Sequence, residues 1–212
     1  MSTEARLREE ICALGQSLFA RALTHGSTGN LSARCGDKWL LTPTGSSLGQ
    51  LDPARLSKLD AGGRLLSGDP PSKEHFLHLA MYQERARSQA VIHLHSTHSV
   101  AVSVLEDIDP DDVLPPLSAY YVMRIGQLPL VPYHAPGDPQ LATAVRGFAG
   151  RHHALLLANH GPVVAGSSLA AASDAVEELE ATAKLYLLLQ GRRVRALTPA
   201  QVAELKARFP PD

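Results

Sequence analysis

Apolar side chains recur at a spacing of three or four residues in two long segments, which predicts two amphipathic helices. In residues 4–24 the apolar positions are Leu7, Ile11, Leu14, Leu18 and Ala22. In residues 168–190 they are Leu169, Ala172, Val176, Leu179, Ala183 and Tyr186. Gly26 and the turn-forming residues that follow it are expected to end the first helix.

Shorter helices are predicted between and after these two. Residues 72–87 are expected to be helical, with Ser72 as the N-cap and with Phe76, Leu79 and Ala80 on the buried side. Further helices are predicted over residues 97–105 and after Pro199, and residues 52–56 resemble a capped helical turn.

Short apolar runs bounded by glycine and proline predict strands. These runs are LSAR, KWLLT, AVIHLHS, RIGQLPLVPY, HALLLANHG and PVVAG. Strand–turn–strand pairs such as LLLANHG followed by PVVAG favour antiparallel pairing. We therefore expect an α/β fold, a three-layer α/β/α sandwich with a central mixed, largely antiparallel sheet, formed by residues 1–212 as one domain.

Composition narrows the possible functions. The chain is 44% hydrophobic and 19% charged, with a formal net charge of -1. No basic stripe offers a surface for a phosphate backbone, so a nucleic-acid partner is not expected. No apolar run reaches the roughly 20 residues that cross a bilayer, so no membrane span is expected. Cys12 and Cys35 are too few for a disulfide framework, which favours a reducing cytoplasm.

Three histidines are candidate metal ligands. His93 and His95 lie in AVIHLHS, and residues i and i+2 of a strand project from the same face. Two imidazoles side by side suit a first-row divalent ion, although an exposed pair of strand histidines is an equal alternative. His160 follows an apolar strand and precedes Gly161, so a sharp turn should display it.

A carboxylate could complete this ligand set. Three histidines leave an open position on a metal ion, which is typical of a catalytic site. Glu74 lies just inside a predicted helix start, where the helix dipole favours an anion. By itself, however, Glu74 is better explained as an ordinary first-turn glutamate that stabilises the start of the helix.

Several motifs together resemble one enzyme family. PSKEHFLHLAMYQERARSQAVIHLHSTHSVAVS, GSTGNLSAR, LTPTG and LLLANHGPVVAG are similar to the class II aldolases of the fuculose-phosphate aldolase and ribulose-phosphate 4-epimerase family. The resemblance extends over about residues 5–190 and implies that family's fold. It implies one divalent ion per subunit, Zn2+ first and Mn2+, Co2+ or Fe2+ as alternatives, held by Glu74, His93, His95 and His160. Glu74 would also act as the acid/base. The resemblance further implies a homotetramer with sites between subunits.

The same resemblance implies a binding site for a substrate phosphate. The residues concerned are Gly29, Asn30, Thr44, Gly45, Ser72 and Lys73. Small residues let backbone N–H groups approach an anion, and polar side chains donate further hydrogen bonds. Lys73 departs from the small hydroxyl residue usual before the family's glutamate. It could bind a substrate carboxylate or phosphate, or be a solvated surface lysine.

The Ser-Lys-Glu motif, LTPTGSSLGQLDPARLSKLD and HLHSTHSVAVS look most like the 3-oxo-tetronate 4-phosphate decarboxylase branch of the family. That branch converts a phosphorylated sugar acid to dihydroxyacetone phosphate and CO2. The alternatives are an aldolase that cleaves a fuculose- or ribulose-type sugar phosphate to dihydroxyacetone phosphate or glycolaldehyde phosphate plus an aldehyde, and an adducin-head-like interaction module. Adducin-type head domains lack a complete set of metal ligands, whereas this sequence has all four candidates, which favours an enzyme. The 4-epimerase interpretation is weaker, because that branch typically has an acidic residue of different length at position 74.

The resemblance also places a catalytic tyrosine after the proline-rich loop, where Tyr120 and Tyr121 lie, with Tyr120 as the candidate. An aromatic side chain packed under a loop is an equal alternative. His98 lies past the expected strand end and should not face the ion. The remaining histidines fit no pattern and are expected to be mostly at the surface or half-buried; they are His25, His75, His78, His134, His152 and His153.

Overall fold

In the computed structural model, which describes residues 2–135 and 137–209, one eight-stranded sheet separates two layers of helices. Its strands are β1 (Asn30–Cys35), β2 (Lys38–Leu41), β3 (Ser57–Leu59), β4 (Leu65–Ser67), β5 (Ala90–His93), β6 (Leu130–Val131), β7 (Ala154–Leu157) and β8 (Gly161–Gly166). The order across the sheet is β4-β3-β2-β1-β5-β8-β7-β6. Only β6 and β7 pair in parallel among these strands. The predicted mixed, largely antiparallel sheet is confirmed.

Seven α-helices flank the sheet in the described part of the chain. They are α1 (Thr3–Ala20), α2 (His75–Glu84), α3 (Thr97–Ser103), α4 (Ala119–Arg124), α5 (Pro139–Ala149), α6 (Leu169–Leu188) and α7 (Pro199–Arg208). A short 3-10 helix spans Leu48–Gln50. No helix in the described ranges has the length and apolarity that a bilayer crossing requires.

The sheet has a hydrophobic core on each face. Ile11 of α1, Ile92 of β5 and Leu179 of α6 share one core. Met81 of α2 and Val145 of α5 belong to the other. Because side chains alternate along a strand, the two faces of β5 enter different cores. The three-layer α/β/α arrangement is therefore confirmed.

Two predicted helices differ at their ends. Helix α1 ends at Ala20 instead of residue 24, because Arg21 is the C-cap and Ala22 has a positive φ of 58°. Helix α2 begins at His75 instead of Ser72, and Glu74 is at the N-cap position. The backbone N–H of Ser72 donates to Thr42 O at 3.2 Å, which holds that segment extended beside β2.

The predicted burial of α2 was wrong in part. Ala80 is buried as expected, but Phe76 and Leu79 are only partly buried. The buried face consists of Leu77, His78, Ala80, Met81 and Tyr82.

Other differences concern segments rich in proline. The strand predicted over residues 124–133 is reduced to Leu130–Val131, between Pro129 and Pro132, and it follows the unpredicted helix α4. The pattern also did not predict α5, where Asp138 is the N-cap and Pro139 begins the helix. Residues 52–56 form a turn in which the Asp52 carboxylate accepts from Ala54 N at 2.9 Å, and no helix continues from it.

Candidate metal centre

The ends of three neighbouring strands bring the candidate ligands together. His93 is the last residue of β5 and pairs with Asn30, the first residue of β1. On its other side His93 pairs with Val163 of β8. His93 is fully buried, and its neighbours Ile92 and Leu94 point into the core on the opposite face, as the alternation predicts.

His95 reaches the same point by a different route from the one predicted. Strand β5 ends at His93, so His95 is not in the strand. Leu94 N still donates to Pro162 O at 3.2 Å, which keeps the chain beside β8 for one further residue. The Nε2 atoms of His93 and His95 are 3.1 Å apart. The expected pair of imidazoles is therefore present, although the strand geometry offered for it was wrong.

A tight turn presents His160. Asn159 has φ 57° and Gly161 has φ 145°, so His160 lies between two residues with positive φ. A Cβ on Gly161 would lie 2.3 Å from Leu94 O. Glycine is thus required here for the close approach of the backbone after β5. This approach places the ring centroids of His95 and His160 4.7 Å apart.

Glu74 completes the cluster from the start of α2. Its Oε1 is 3.0 Å from His160 Nε2, and its Oε2 is 3.5 Å from His93 Nε2. One ligand atom from each of the four side chains lies within 4.8 Å of the others. Bonds of about 2.0–2.1 Å to a tetrahedral ion would separate ligand atoms by roughly 3.3 Å, so the arrangement is of the correct scale.

The protonation states also suit a cation. His93 donates Nδ1–H to Pro162 O at 2.8 Å, which leaves its Nε2 lone pair facing the cluster. Burial and the neighbouring imidazoles lower the pKa of His95 to about 3, so its ring is neutral near pH 7. Burial alone would raise the pKa of Glu74, but His93, His160 and Asn30 outweigh it and lower that pKa. Imidazole nitrogens around a carboxylate form a donor set that fits a divalent metal ion.

A cavity of about 740 Å³ opens in front of this cluster. Glu74, His95 and His160 line it. All six residues predicted for phosphate binding line it as well: Gly29, Asn30, Thr44, Gly45, Ser72 and Lys73. Folding therefore brings residues from five separate segments to one concave surface.

Some lining residues were missed. His25 and His134 line the cavity, although the sequence pattern gave them no role. Tyr133 also lines it and is 61% exposed. Thr28 lies in the GSTGN motif and could have been found from it, whereas no periodicity distinguishes Tyr133 or His134.

Other candidates lie away from the cavity. Tyr120 is on α4, 60% exposed, and does not line the cavity of its own chain. As expected, His98 does not join the cluster; its Nδ1 is 2.7 Å from Glu180 Oε1. His78 was expected near the surface, but it is fully buried under the site.

Comparisons with known proteins agree with this geometry. The family model described as Class II Aldolase and Adducin N-terminal domain matches residues 9–187. The crystal structure of YgbL from Escherichia coli superposes with a TM-score of 0.95 at 50% sequence identity, covering 97% of this chain and all of the other.

Curated relatives extend over nearly the whole chain. A 3-oxo-tetronate 4-phosphate decarboxylase from Cupriavidus necator is 49% identical, over 99% of this chain and 98% of the relative. The protein of that name from Escherichia coli O6:H1 is 52% identical, over 96% and 97% respectively. An L-fuculose phosphate aldolase from Methanocaldococcus jannaschii is 36% identical, over 85% and 96%.

Proposed function

This chain belongs to the class II aldolase and adducin N-terminal domain family, and we propose that it converts 3-oxo-tetronate 4-phosphate to dihydroxyacetone phosphate and CO2. Its relatives are decarboxylases and aldolases, so it is a carbon–carbon lyase. One observation supports the decarboxylase most directly. Ser72, Lys73 and Glu74 are consecutive and line one cavity, which places a cation between the proposed phosphate site and the metal ligands.

The proposed metal ligands are Glu74, His93, His95 and His160, with Zn2+ as the expected ion. When bound, the ion would act as a Lewis acid that polarises the 3-oxo group and stabilises the negative charge developing as CO2 departs. The protein's own part is to hold the four donors in place and to keep water from the buried side, where His93 is inaccessible.

The remaining lining residues would orient the substrate. Gly29 and Gly45 have positive φ values of 78° and 70°, which only glycine adopts readily, so the backbone can approach a phosphate closely. Thr44 and Ser72 add side-chain hydroxyl donors. Asn30 lines the same cavity, and its amide donates to Glu74 and Ser72. Lys73, exposed in the cavity, would hold the substrate carboxylate before the C1–C2 bond breaks.

Decarboxylation leaves the electron pair of the C1–C2 bond delocalised over C2 and the oxygen on C3, and C2 must then receive a proton. The low pKa of Glu74 leaves its carboxylate without a proton in the resting site, so it can transfer a proton only after accepting one. Tyr120 is the second proposed donor. Because Tyr120 does not line the cavity of its own chain, it could act only in an assembly in which a neighbouring subunit supplies it.

A homotetramer with sites between subunits would meet that requirement, and mixing two inactive variants tests it. Glu74→Gln and Tyr120→Phe homomers should each be impaired, while co-expressed mixtures should regain part of the activity, since some sites would combine both wild-type residues. Mixtures without such recovery, or a fully active Tyr120→Phe, would contradict the intersubunit role of Tyr120.

Metal analysis of the purified protein combined with product analysis tests the main proposal. We expect about one divalent ion per subunit and release of CO2 and dihydroxyacetone phosphate from 3-oxo-tetronate 4-phosphate. Chelation should abolish CO2 release, and added zinc should restore it. A metal-free active protein, or a protein inert toward this substrate, would contradict the proposal.

An aldolase is the second candidate, favoured by the similarity to the L-fuculose phosphate aldolase. The same metal ligands and phosphate site would serve both reactions, because both leave an electron pair on the carbon next to the polarised carbonyl. Release of an aldehyde from fuculose- or ribulose-type phosphates, with no CO2 from the sugar acid, would identify the aldolase.

A further inference from the structure

A chain of buried hydrogen bonds runs from α2 and the sheet to the proposed metal site. Tyr82 OH is 2.9 Å from Ser32 Oγ, and Ser32 Oγ is 2.7 Å from His78 Nδ1. His78 Nε2 is 2.5 Å from Asn30 Oδ1. The Asn30 amide nitrogen then reaches Glu74 Oε2 at 2.8 Å and Ser72 Oγ at 3.2 Å.

The donor and acceptor roles along this chain are determined from its active-site end. The Asn30 amide nitrogen faces Glu74 Oε2 and Ser72 Oγ and can only donate. Its Oδ1 therefore faces His78 and can only accept. His78 Nε2 must therefore carry a proton. Burial lowers the pKa of His78 to about 3, so the ring is neutral and its Nδ1 is bare.

The remaining roles follow from counting protons. The bare Nδ1 of His78 requires the Ser32 hydroxyl as its donor. Ser32 has one hydroxyl proton, so its bond to Tyr82 must use the Tyr82 O–H. Every donor in the chain thus points toward the active site.

The chain also orients Ser72. Ser72 Oγ accepts from the Asn30 amide at 3.2 Å and from Glu74 N at 3.3 Å. A hydroxyl oxygen has two acceptor positions, and both are used. The Ser72 proton is then available only to donate, and Ser72 lines the cavity. A hydroxyl restricted to donating suits an anion.

We propose that His78 is a positioning residue that fixes the Asn30 amide, and through it orients both the Glu74 carboxylate toward the metal and the Ser72 hydroxyl toward the substrate phosphate. This inference rests on the proposed function. Without the proton on His78 Nε2, the Asn30 amide could flip and turn Oδ1 toward Glu74, where two acceptors would repel each other. The metal ligand and the phosphate donor would then be lost together.

Three variants separate this role from packing. His78→Leu removes the donor to Asn30, whereas His78→Gln keeps an amide donor near the position of Nε2. Val145→Ala is the stability control, since Val145 is buried in the core on the α2 face of the sheet but is not part of the hydrogen-bond chain. Binding of Zn2+ is measured against a competing chelator, and binding of inorganic phosphate is measured on the zinc-loaded protein.

We expect His78→Leu to weaken zinc binding by about 10- to 100-fold, the usual effect of losing a residue that orients a metal ligand, and to weaken phosphate binding at the same time. His78→Gln should retain both affinities within about threefold. Val145→Ala should lower the melting temperature while leaving both affinities unchanged. A folded His78→Leu with wild-type affinities would overturn the inference.

Nitrogen NMR of the imidazole rings gives a measurement independent of ligand binding and of activity. It distinguishes protonated from bare ring nitrogens, and His78 should carry its proton on Nε2. A proton on Nδ1 would overturn the inference whatever the variants do. If the wild-type protein bound neither zinc nor phosphate, that result would instead contradict the proposed function. The tautomer of His78 would still decide the direction of the hydrogen bonds from Tyr82 to Glu74.

Discussion

Two buried polar networks lie beside the proposed metal site on opposite faces of the sheet, and they differ in charge. On the α2 face, the chain through His78 and Asn30 is neutral until it reaches Glu74. On the α6 face, the Glu180 carboxylate accepts from His98 N and Nδ1 at 2.9 and 2.7 Å, and from Ser99 N and Oγ at 2.8 and 2.6 Å.

The two networks also end on different parts of the chain. The neutral network ends on side-chain atoms of the site, so it controls where individual donors and acceptors point. The Glu180 network ends on the first turn of α3 and fixes the backbone that follows His95. A charged carboxylate with four donors stabilises a backbone segment strongly, whereas a neutral chain has a defined direction. We therefore predict that the neutral network through His78 controls binding geometry and that the Glu180 network controls stability.

Glu74→Gln should produce the largest effect, because it alters the end of the neutral network. We expect activity to fall by about 100-fold or more, since a ligand and an acid/base group are lost together, while the fold is retained. Initial rates and a melting curve measure the two quantities. Glu84→Gln makes the same chemical change at an exposed position at the end of α2 and should be neutral. Near wild-type turnover in Glu74→Gln would remove its assigned role.

Glu180→Ala should mainly reduce stability. It leaves the buried donors of Ser99 and the partly buried donors of His98 without their carboxylate, and we expect the free energy of unfolding to fall by about 3 kcal/mol. Chemical denaturation measures this loss. Zinc affinity should change less than in His78→Leu. A larger loss of zinc affinity in Glu180→Ala than in His78→Leu would contradict the distinction between the two networks.

Lys73→Ala tests whether Lys73, which lies between Ser72 and Glu74 at the end of the neutral network, contributes to substrate binding. We expect about a 10-fold larger loss of kcat/KM with a carboxylate-bearing substrate than with a neutral sugar phosphate, because one charge-assisted contact is removed. Lys73→Arg retains the charge and should lose less. Equal losses with both substrates would argue against carboxylate binding by Lys73.

The smallest expected effect is a difference in pH dependence. Burial alone would raise the pKa of Glu180, but hydrogen bonds from Ser99 and His98 lower it below 4.5. A carboxyl group whose folded pKa is lowered contributes stability above its unfolded pKa and loses that contribution as the pH falls through its folded pKa. The stability gap between wild type and Glu180→Gln should therefore narrow below about pH 4.5. Denaturation series over that range measure the gap, and a constant gap would contradict the ionised state of Glu180.

Several features could be predicted from local sequence alone. Helix α6 follows from its apolar spacing and its Ser168 cap, and the capped start of α7 follows from Thr198 and Pro199. The grouping of Glu74, His93, His95 and His160 was expected from a family resemblance, and these side chains do meet in the structure. Proline and glycine near α4 and β6 obscured local periodicity, so RIGQLPLVPY was mistaken for a strand.

Local patterns were sufficient to predict the helices with strong periodicity and to name the candidate site residues, because helix spacing and short motifs involve neighbours a few positions apart. The assembly of the site is visible only in the folded chain. His160 meets His95 because Gly161 lets β8 approach the backbone after β5, and His95 itself lies beyond the end of β5. The position of His78 under Asn30 depends on how α2 packs against β1, and the exclusion of Tyr120 from its own cavity depends on where α4 lies. Such contacts join residues that are far apart in the chain, and no local pattern specifies them.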